Sequence, residues 1–388
     1  MKLAWPDGIT AEIFVRDYWQ KKALLFRAAL PEFENPITPD ELAGLALDED
    51  VSSRIIVKGE DGSWHCHHGP FEEDELEKLP AEDWSMLVTD VDKVLPEFRA
   101  YLEPFSFIPS WRIDDLMISY APAGASVGAH VDNYDVFLFQ AVGRREWSIS
   151  EDPNADLSYI PDQDIRILAN FEPENTWILE PGDMLYLPPG APHHGVSLDD
   201  ECMTWSVGFR APAHNEIVAD IAQALTKTLS DDLRYVDPGF NLQSEPGEIS
   251  NEALTRFREI WDEHVNPDAR SFEQIIGKVL TERKSNENDD TSASEQIVQE
   301  DQDLSRVLLA EEGGWERNSQ SRLSFIKQSD GQADLFADGT SFVCSHETAT
   351  LLTGQVYFES EQLAQLVNDG DVLRQLLNSQ VLIPIVEE

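Results

Sequence analysis

Three residues have the types and spacing for metal chemistry: His130 and Asp132, one residue apart, and His193, 63 positions further on. In an extended segment residues i and i+2 face the same way, so His130 and Asp132 present their side chains together. A third ligand from a distant antiparallel strand would complete one face of an octahedron. Two histidines and one carboxylate suit non-haem Fe(II) and leave three positions open, two for a chelating keto-acid and one for oxygen. The HxD pair alone is a weak signal, because a loop histidine or a satisfied turn gives the same letters. Context strengthens it: His193 follows EPGDMLYLPPGAP, a turn, a strand and a tight Pro/Gly corner that presents the imidazole. His194 would point to the opposite face, so His193 is the expected ligand. A second run, His65-Cys66-His67-His68, lacks a matching distant pair. It reads as a polar loop after a Gly-Ser turn and is assigned no function.

A keto-acid with a distal carboxylate needs a fixed cation at the far end of its pocket. Arginine suits this because its planar fork meets a carboxylate through two parallel bonds. The hairpin VFLFQAVGRREWSIS offers Arg144 and Arg145. Alternation puts Arg145 with Trp147 and Ile149 on an apolar, inward face, and Arg144 with Glu146 and Ser148 on the outward one. Arg145 is therefore the expected anchor, and Arg144 is expected to pair with Glu146 neighbours in solvent. On IDDLMISY, Asp115, Met117 and Ser119 share a face. An inward carboxylate is costly unless partnered. Asp115 either neutralises an internal arginine or is left for a cationic substrate, and Ser119 can add a hydroxyl bond to the keto-acid.

The elements that must position these residues are short and β-rich. From Ile113 to Phe209 the runs IDDLMISY, DVFLFQAV, REWSIS, NTWILE, DMLYLPP, HGVSL and CMTWSVGF are punctuated by Pro and Gly, the pattern of a sandwich or barrel. Residues 1–105 mix short helical and extended patterns, including a capped helix in TPDELAGLAL that starts near Thr38 or Asp40. After Ala213 the period becomes helical: Ile217, Ile221, Leu225 and Leu229 share one face, as do Leu254, Phe257, Trp261 and Val265. A third helix is expected to open at Ser271, with Gln274 in capping-box spacing. These helices need a surface to cover, either their own barrel or a second copy of the chain. Residues 286–296, SNENDDTSASE, read as a linker. Beyond it lies a small mixed module with turns at Asp330-Gly331 and Asp338-Gly339, a helix over SEQLAQLVNDGDVLRQLL and a closing strand VLIPIV, plausible as a winged helix.

Length and charge bound the rest. At 388 residues the chain is expected to hold two or three domains. Its 74 acidic and 28 basic residues give a net charge of −46, a field that repels phosphate backbones and anionic membranes and attracts basic partners. From Ile297 to Glu388 there are 16 acidic and 5 basic residues, which argues against DNA binding. Cys66, Cys202 and Cys344 form no CxxC pair and fit a reducing compartment. No secretory signal or membrane-length apolar run is read, so the expected location is the cytoplasm.

The segments WRIDDLMIS, GxHVDxYDVFxxQ, GRREW, EPGDMLYLPPGAPHHG and WSVGFRAP together resemble the bacterial JmjC ribosomal oxygenases. Within that family they are most similar to the branch that hydroxylates an arginine of large-subunit ribosomal protein sixteen. PITPDELAGLAL and the HGPF at His68–Phe71 extend the match upstream, so that it covers roughly the first 210 residues densely. The resemblance implies a mainly β core with α additions: a double-stranded β-helix of the cupin/JmjC type in residues 1–212. A helical dimerisation region (213–285), the linker (286–296) and a winged-helix-like C-terminal domain (297–388) would follow. It implies that His130, Asp132 and His193 bind Fe(II) and that Ser119 and Arg145 hold 2-oxoglutarate. Asp115, Met117, Tyr134 and Ser206 would line the pocket of the substrate arginine, which would be hydroxylated at Cβ. The expected partners are a basic ribosomal protein and a second copy of the chain. Competing readings are a histidine hydroxylase of another ribosomal protein on the same fold, a non-catalytic JmjC scaffold, and a cupin sugar isomerase. The first is disfavoured by an inward Asp115, the second by the intact HxD…H with Arg145, and the third by the acidic surface.

Overall fold

All seven β-rich runs between Ile113 and Phe209 form strands in the computed structural model, which describes residues 1–236, 247–283, 298, 303–311 and 313–385. The expected linker at 286–296 lies outside the described residues. Four strands precede the seven: β1 (Leu24–Phe26), β2 (Ser53–Lys58), β3 (Trp64–His68) and β4 (Trp84–Val88). The seven are β5 (Ile113–Ala121), β6 (Asp135–Val142), β7 (Arg145–Ile149), β8 (Asn175–Leu179), β9 (Met184–Leu187), β10 (His193–Ser197) and β11 (Cys202–Phe209). They build an eight-stranded sheet in the order β1-β9-β6-β11-β5-β4-β2-β3 and a three-stranded sheet β10-β7-β8, with antiparallel pairing throughout. This is the double-stranded β-helix of the JmjC/cupin class.

Alternation along the large sheet separates packing from chemistry. Leu116 and Ile118 of β5, Phe137 and Phe139 of β6, and Trp205 and Val207 of β11 point outward. There they meet Phe14 of helix α1 (Ala11–Asp17), Leu42 of α2 (Pro39–Leu45), and Phe98 and Phe105 of the 3-10 stretch Pro96–Phe105. Two one-turn helices, α3 (Glu73–Leu76) and α4 (Val91–Val94), complete this layer. Each of these aromatic and aliphatic side chains is worth about 1.5–3 kcal/mol on burial, so the outer layer stabilises the sheet independently of the inner face. The inner face, residues Asp115, Met117, Ser119, Thr204 and Ser206, is released for polar groups. Helix α2 begins with a full capping box: the Thr38 hydroxyl accepts from the Glu41 N–H and the Glu41 carboxylate accepts from the Thr38 N–H.

Contrary to the loop reading of His65–His68, this run is strand β3, paired along its whole length with β2. An edge strand needs only one neighbour, and that neighbour is contributed by residues the local sequence does not display.

The chain divides into two compact units, Met1–Ala211 and Pro212–Glu388. The second holds helices α5 (His214–Thr226), α6 (Asn251–Val265), α7 (Ala269–Thr281), α8 (Leu304–Leu308), α9 (His346–Gly354), α10 (Ser360–Ala364) and α11 (Gly370–Asn378). Among its described residues the strands are β12 (Trp315–Arg317), β13 (Leu323–Lys327), β14 (Gln332–Ala337), β15 (Thr340–Ser345), β16 (Tyr357–Phe358) and β17 (Leu382–Pro384), in sheets β16-β12-β17 and β13-β14-β15. Helix α7 lies on the second sheet: Arg270 pairs with the buried Asp334, and Gly277 leaves room for the Phe336 ring, which a Cβ would meet at 2.3 Å.

Several local expectations change. Helix α5 ends at Thr226, so Leu229 falls in the following turn. The cap of α7 is Asp268, whose carboxylate accepts from the Ser271 N–H and hydroxyl; Ser271 is the capped residue, not the cap. The long helix expected over 360–377 is broken into α10, a 3-10 turn at Val367–Asp369 and α11, with the Asp369 carboxylate bonded to Ser345. The Asp338-Gly339 turn has positive φ at both residues, the twist a two-residue hairpin requires.

Candidate active site

The site is assembled at the point where the two sheets face each other. His130 lies just before β6 in an isolated antiparallel bridge with His193, the first residue of β10. Their backbones exchange both hydrogen bonds at 3.0 Å. The chain reaches His130 through Gly128, at φ +80°, where a Cβ would sit 2.5 Å from Ile167; only glycine fits this approach. With Asp132 two residues on, the three side chains converge: ligand atoms of His130, Asp132 and His193 lie within 4.8 Å of one another. The Nε2 atoms of His130 and His193 are 3.8 and 3.6 Å from Asp132 Oδ2.

Both imidazoles are oriented from behind. His130 Nδ1 donates to the Gly128 carbonyl at 2.9 Å and His193 Nδ1 to the Ala191 carbonyl at 3.0 Å, leaving each Nε2 lone pair free to bind a metal. His193 is 2% exposed. Burial, and then the neighbouring His130, push its pKa below the ordinary imidazole value, so it is neutral at physiological pH, as a ligand must be. His194 points the other way, its ring edge-on to Phe171, outside the cluster.

The cluster opens into a cavity of about 500 Å³. Burial on β7 alternates as the strand period requires, with Arg145, Trp147 and Ile149 inward. Arg145 is 3% exposed, its guanidinium lies 5.7 Å from the Trp147 ring, and its Nε and Nη2 are buried with no hydrogen-bond partner. Close packing behind it is secured by Gly195, opposite Trp147 on β10, where a Cβ would lie 2.7 Å from the indole. Arg144 does not pair with neighbours of Glu146. Its backbone and guanidinium both bond Asp199, a partner 55 residues away brought in by the turn after β10.

Ser119 faces the cavity from β5, its hydroxyl donating to the Thr204 carbonyl over a long 3.2 Å bond that an incoming acceptor can replace. Met117 and Ser206 stand opposite each other in the β5–β11 register and both line the cavity. Asp115 does so as well, beside Gly208. Tyr134 closes one side with its ring 40% exposed; desolvation and the charges of Asp132 and Asp115 raise its hydroxyl pKa, so it stays protonated. The cavity thus brings together all nine residues expected from the sequence.

It also contains residues the sequence reading passed over. Register shifts between Gly208 and Phe209, which face Asp115 and Ile113, so Asp114 is the extra residue of a β-bulge and its side chain joins Asp115 at the cavity. Arg54 on β2 lines it with a buried, unpartnered Nε, and Thr204 contributes from β11. Alternation could have found both: Arg54 shares a face with Ile56, and Thr204 shares one with Ser206. Behind β5, Asp92 is buried and accepts the Leu116 N–H at 2.8 Å. Burial pushes its pKa up to about 6, reinforced by Asp115 and opposed by the Leu116 bond and Arg99.

Residues 100–217 match the family model described as JmjC domain. Over 284 residues the chain is 37% identical to the ribosomal protein uL16 3-hydroxylase of Escherichia coli K12, covering 73% of each. It is 33% identical over 323 residues to a probable ribosomal oxygenase of Haemophilus influenzae, covering 80% of this chain and 77% of that one. The solved structure of a ribosomal oxygenase from E. coli in complex with cobalt and 2-oxoglutarate superposes with a TM-score of 0.77 at 30% identity, over 98% of this chain and 99% of that one. Among the described residues no helix is long and apolar enough to cross a membrane.

Proposed function

Because this chain belongs to the JmjC-type ribosomal oxygenases, we propose that its substrate is large-subunit ribosomal protein uL16 and that it hydroxylates Cβ of an arginine there. The chain is a 2-oxoglutarate-dependent oxygenase with Fe(II) as its metal. The residues present fit both groups. Two imidazoles and a carboxylate form the Fe(II) donor set, and the orphaned Nε and Nη2 of Arg145 offer a fork for a carboxylate.

We assign His130, Asp132 and His193 to iron, and Arg145 and Ser119 to the far carboxylate of 2-oxoglutarate. Bound together, iron and 2-oxoglutarate activate oxygen, one atom entering a substrate C–H bond and the other leaving in succinate as CO2 is released. The chain's own contribution is placement. The Gly128 and Ala191 carbonyls hold the two imidazoles in the metal-binding tautomer. Arg145, pinned against Trp147, fixes the cosubstrate. Asp115 lies four residues along β5 from Ser119, about 13 Å at the strand rise, which separates a substrate end from a cosubstrate end. There its carboxylate takes the guanidinium in a bidentate pair, Tyr134 packs on the flat face of the cation, and Met117 and Ser206 complete the wall.

The observation that carries the arginine reading is this pair of carboxylates, Asp115 and the bulged Asp114, in one cavity with the metal-binding cluster and an unpaired buried arginine. The test is mass spectrometry of uL16 incubated with the protein, Fe(II) and 2-oxoglutarate. One oxygen is expected on one arginine, and it should be lost in Asp115→Ala, which still binds metal and 2-oxoglutarate. A broken buried pair costs roughly 3–5 kcal/mol. Oxygen on a histidine of another ribosomal protein, or wild-type hydroxylation by Asp115→Ala, would overturn the assignment.

On the same footing, residues 213–285 are assigned to a homodimer interface, supported by Leu254, Phe257 and Trp261 of α6, each more than half exposed. Residues 297–388 are assigned to a winged-helix-like domain whose acidic balance disfavours DNA. The workplace of the enzyme is then the cytoplasm, where ribosomal proteins meet it.

A further inference from the structure

Strands β7 and β8 are antiparallel neighbours paired over all five residues, a connection that two to five residues can close. Here it takes residues 150–174, and loops of this length are uncommon in compact domains unless they have a function. This loop is well tethered. Tyr159 and Leu168 form an antiparallel bridge, and Ile160 N–H bonds the Ile167 carbonyl at 2.9 Å. Leu168 N–H bonds the carbonyl of Ala129, the residue before His130, at 2.8 Å. The hairpin tip is tied to edge strand β3: Trp64 N–H donates to Gln163 Oε1 at 2.6 Å and Cys66 N–H to Asp164 Oδ2 at 3.1 Å.

One side of the hairpin serves the cavity, which Ile165 and Arg166 line. The other leaves Leu157, Tyr159 and Ile160 in solvent at 45%, 41% and 37% exposure. Three large apolar side chains on an anchored loop are a standing cost that a partner would relieve. The two sides are joined by Arg166, whose guanidinium lies 5.9 Å from the Tyr159 ring, so the apolar strip continues the cavity rim. Around it the loop carries seven carboxylates against the single cation of Arg166.

We propose that the Leu157–Leu168 hairpin is a docking rim for the basic segment of the ribosomal protein that flanks the arginine entering the cavity. The occupant follows from charge complementarity and from continuity with the cavity. Lysine and arginine stems cover apolar side chains while their heads meet carboxylates, and a cation can stack on Tyr159. This rests on the substrate reading above and adds where the chain outside the cavity is held.

Binding is measured on the full-length protein loaded with Mn(II) and 2-oxoglutarate, with uL16 as titrant, apart from any turnover. The variant Leu157→Ser/Tyr159→Ser/Ile160→Ser is expected to bind uL16 roughly tenfold or more weakly, as loss of a small anchor cluster does. Its 2-oxoglutarate affinity and its turnover of a short peptide spanning only the target arginine should match wild type. Asp162→Lys at the exposed hairpin apex, a milder change, should also weaken uL16 binding and flatten its salt dependence. Binding within twofold of wild type in both variants overturns the proposal, as does an altered oligomeric state with uL16 binding unchanged. A wild type that binds uL16 without hydroxylating it overturns the substrate chemistry and leaves the docking rim standing.

Discussion

Replacing Arg145 with methionine separates affinity from stability in a way few substitutions do. The guanidinium is almost fully buried, and no protein group bonds its Nε or Nη2. A buried charge left unpaired costs stability, and the stacking on Trp147 returns only part of it. Arg145→Met keeps the stem's packing against the indole and removes the charge, so the melting temperature of the ligand-free variant should be unchanged or higher. With 2-oxoglutarate the balance reverses. Two charge-assisted bonds in a dry pocket, allowing for non-additivity, are worth about 2–4 kcal/mol, or roughly 30- to 900-fold in dissociation constant. Calorimetric titration of the Mn(II)-loaded, anaerobic protein reads this directly. A thermal scan reads it independently, since ligand at 100 times its wild-type dissociation constant stabilises wild type by about 2.7 kcal/mol and should stabilise the variant by less than about 1 kcal/mol. Arg144→Ala is the control: its pair with Asp199 lies in solvent on the outward face, so 2-oxoglutarate affinity should stay at the wild-type value. A variant at position 145 that binds 2-oxoglutarate within threefold of wild type refutes the anchor. Equal losses at 144 and 145 refute the facing argument.

The adjacent histidines give a second contrast: His193→Ala should abolish metal binding and 2-oxoglutarate turnover, whereas His194→Ala, altering a ring packed on Phe171, should retain both. The opposite pattern in folded proteins would move the third ligand by one residue. A third prediction concerns Asp92, whose carboxyl rises on folding from 3.8 to about 6 through burial first and the charge of Asp115 next. Such a group favours the folded state fully below its unfolded pKa, and that contribution is lost as pH climbs from about 4 to 6, a swing of about 3 kcal/mol. Asp92→Asn keeps an acceptor for the Leu116 N–H, so urea unfolding should show it more stable than wild type at pH 7 and level with it near pH 4. Parallel stability profiles across that range would show that Asp92 is not the titrating group.

That the residues proposed for metal and cosubstrate share one cavity was legible because most of them obey a local period. His130 and Asp132 are two apart in extended chain, and Arg145 and Trp147 share the inward face of one strand, so no tertiary knowledge was needed to pair them. His193 needed the Pro/Gly corner before it, which the letters also display. Where the reading failed, the deciding partner was distant or the period was broken. Arg144 found Asp199, 55 residues on, and His65–His68 became a strand only through β2. Asp268 outcompeted Ser271 as cap because both are good caps three residues apart, and the choice falls to whichever residue has an extended backbone at the helix start. Asp114 could not be read at all, since alternation assigns it to the outer face and only the bulge turns it inward.

That bulge shows why the polar inner face is tolerated. The eight-stranded sheet is covered on its outer side by Phe14, Leu42, Phe98 and Phe105, and side chains such as Phe137 and Trp205 interlock with that layer independently of anything in the cavity. Packing and cavity lining are therefore carried by alternate residues of the same strands: Leu116 packs while Asp115 faces the cavity, Trp205 packs while Ser206 lines the wall. A register slip of one residue in β5 or β11 would send carboxylates into the aromatic layer and tryptophan into the cavity, so the core that stabilises the sheet also fixes which residues face the iron site. With register enforced from outside, the inner face can present a buried arginine, a tyrosine and two neighbouring carboxylates to one cavity without disturbing the packed layer. The two signs are carried by different strands: Arg145 on β7 brings positive charge to the cavity and Asp114 with Asp115 on β5 brings negative charge. A keto-diacid at one end and a guanidinium at the other supply charges of the required sign.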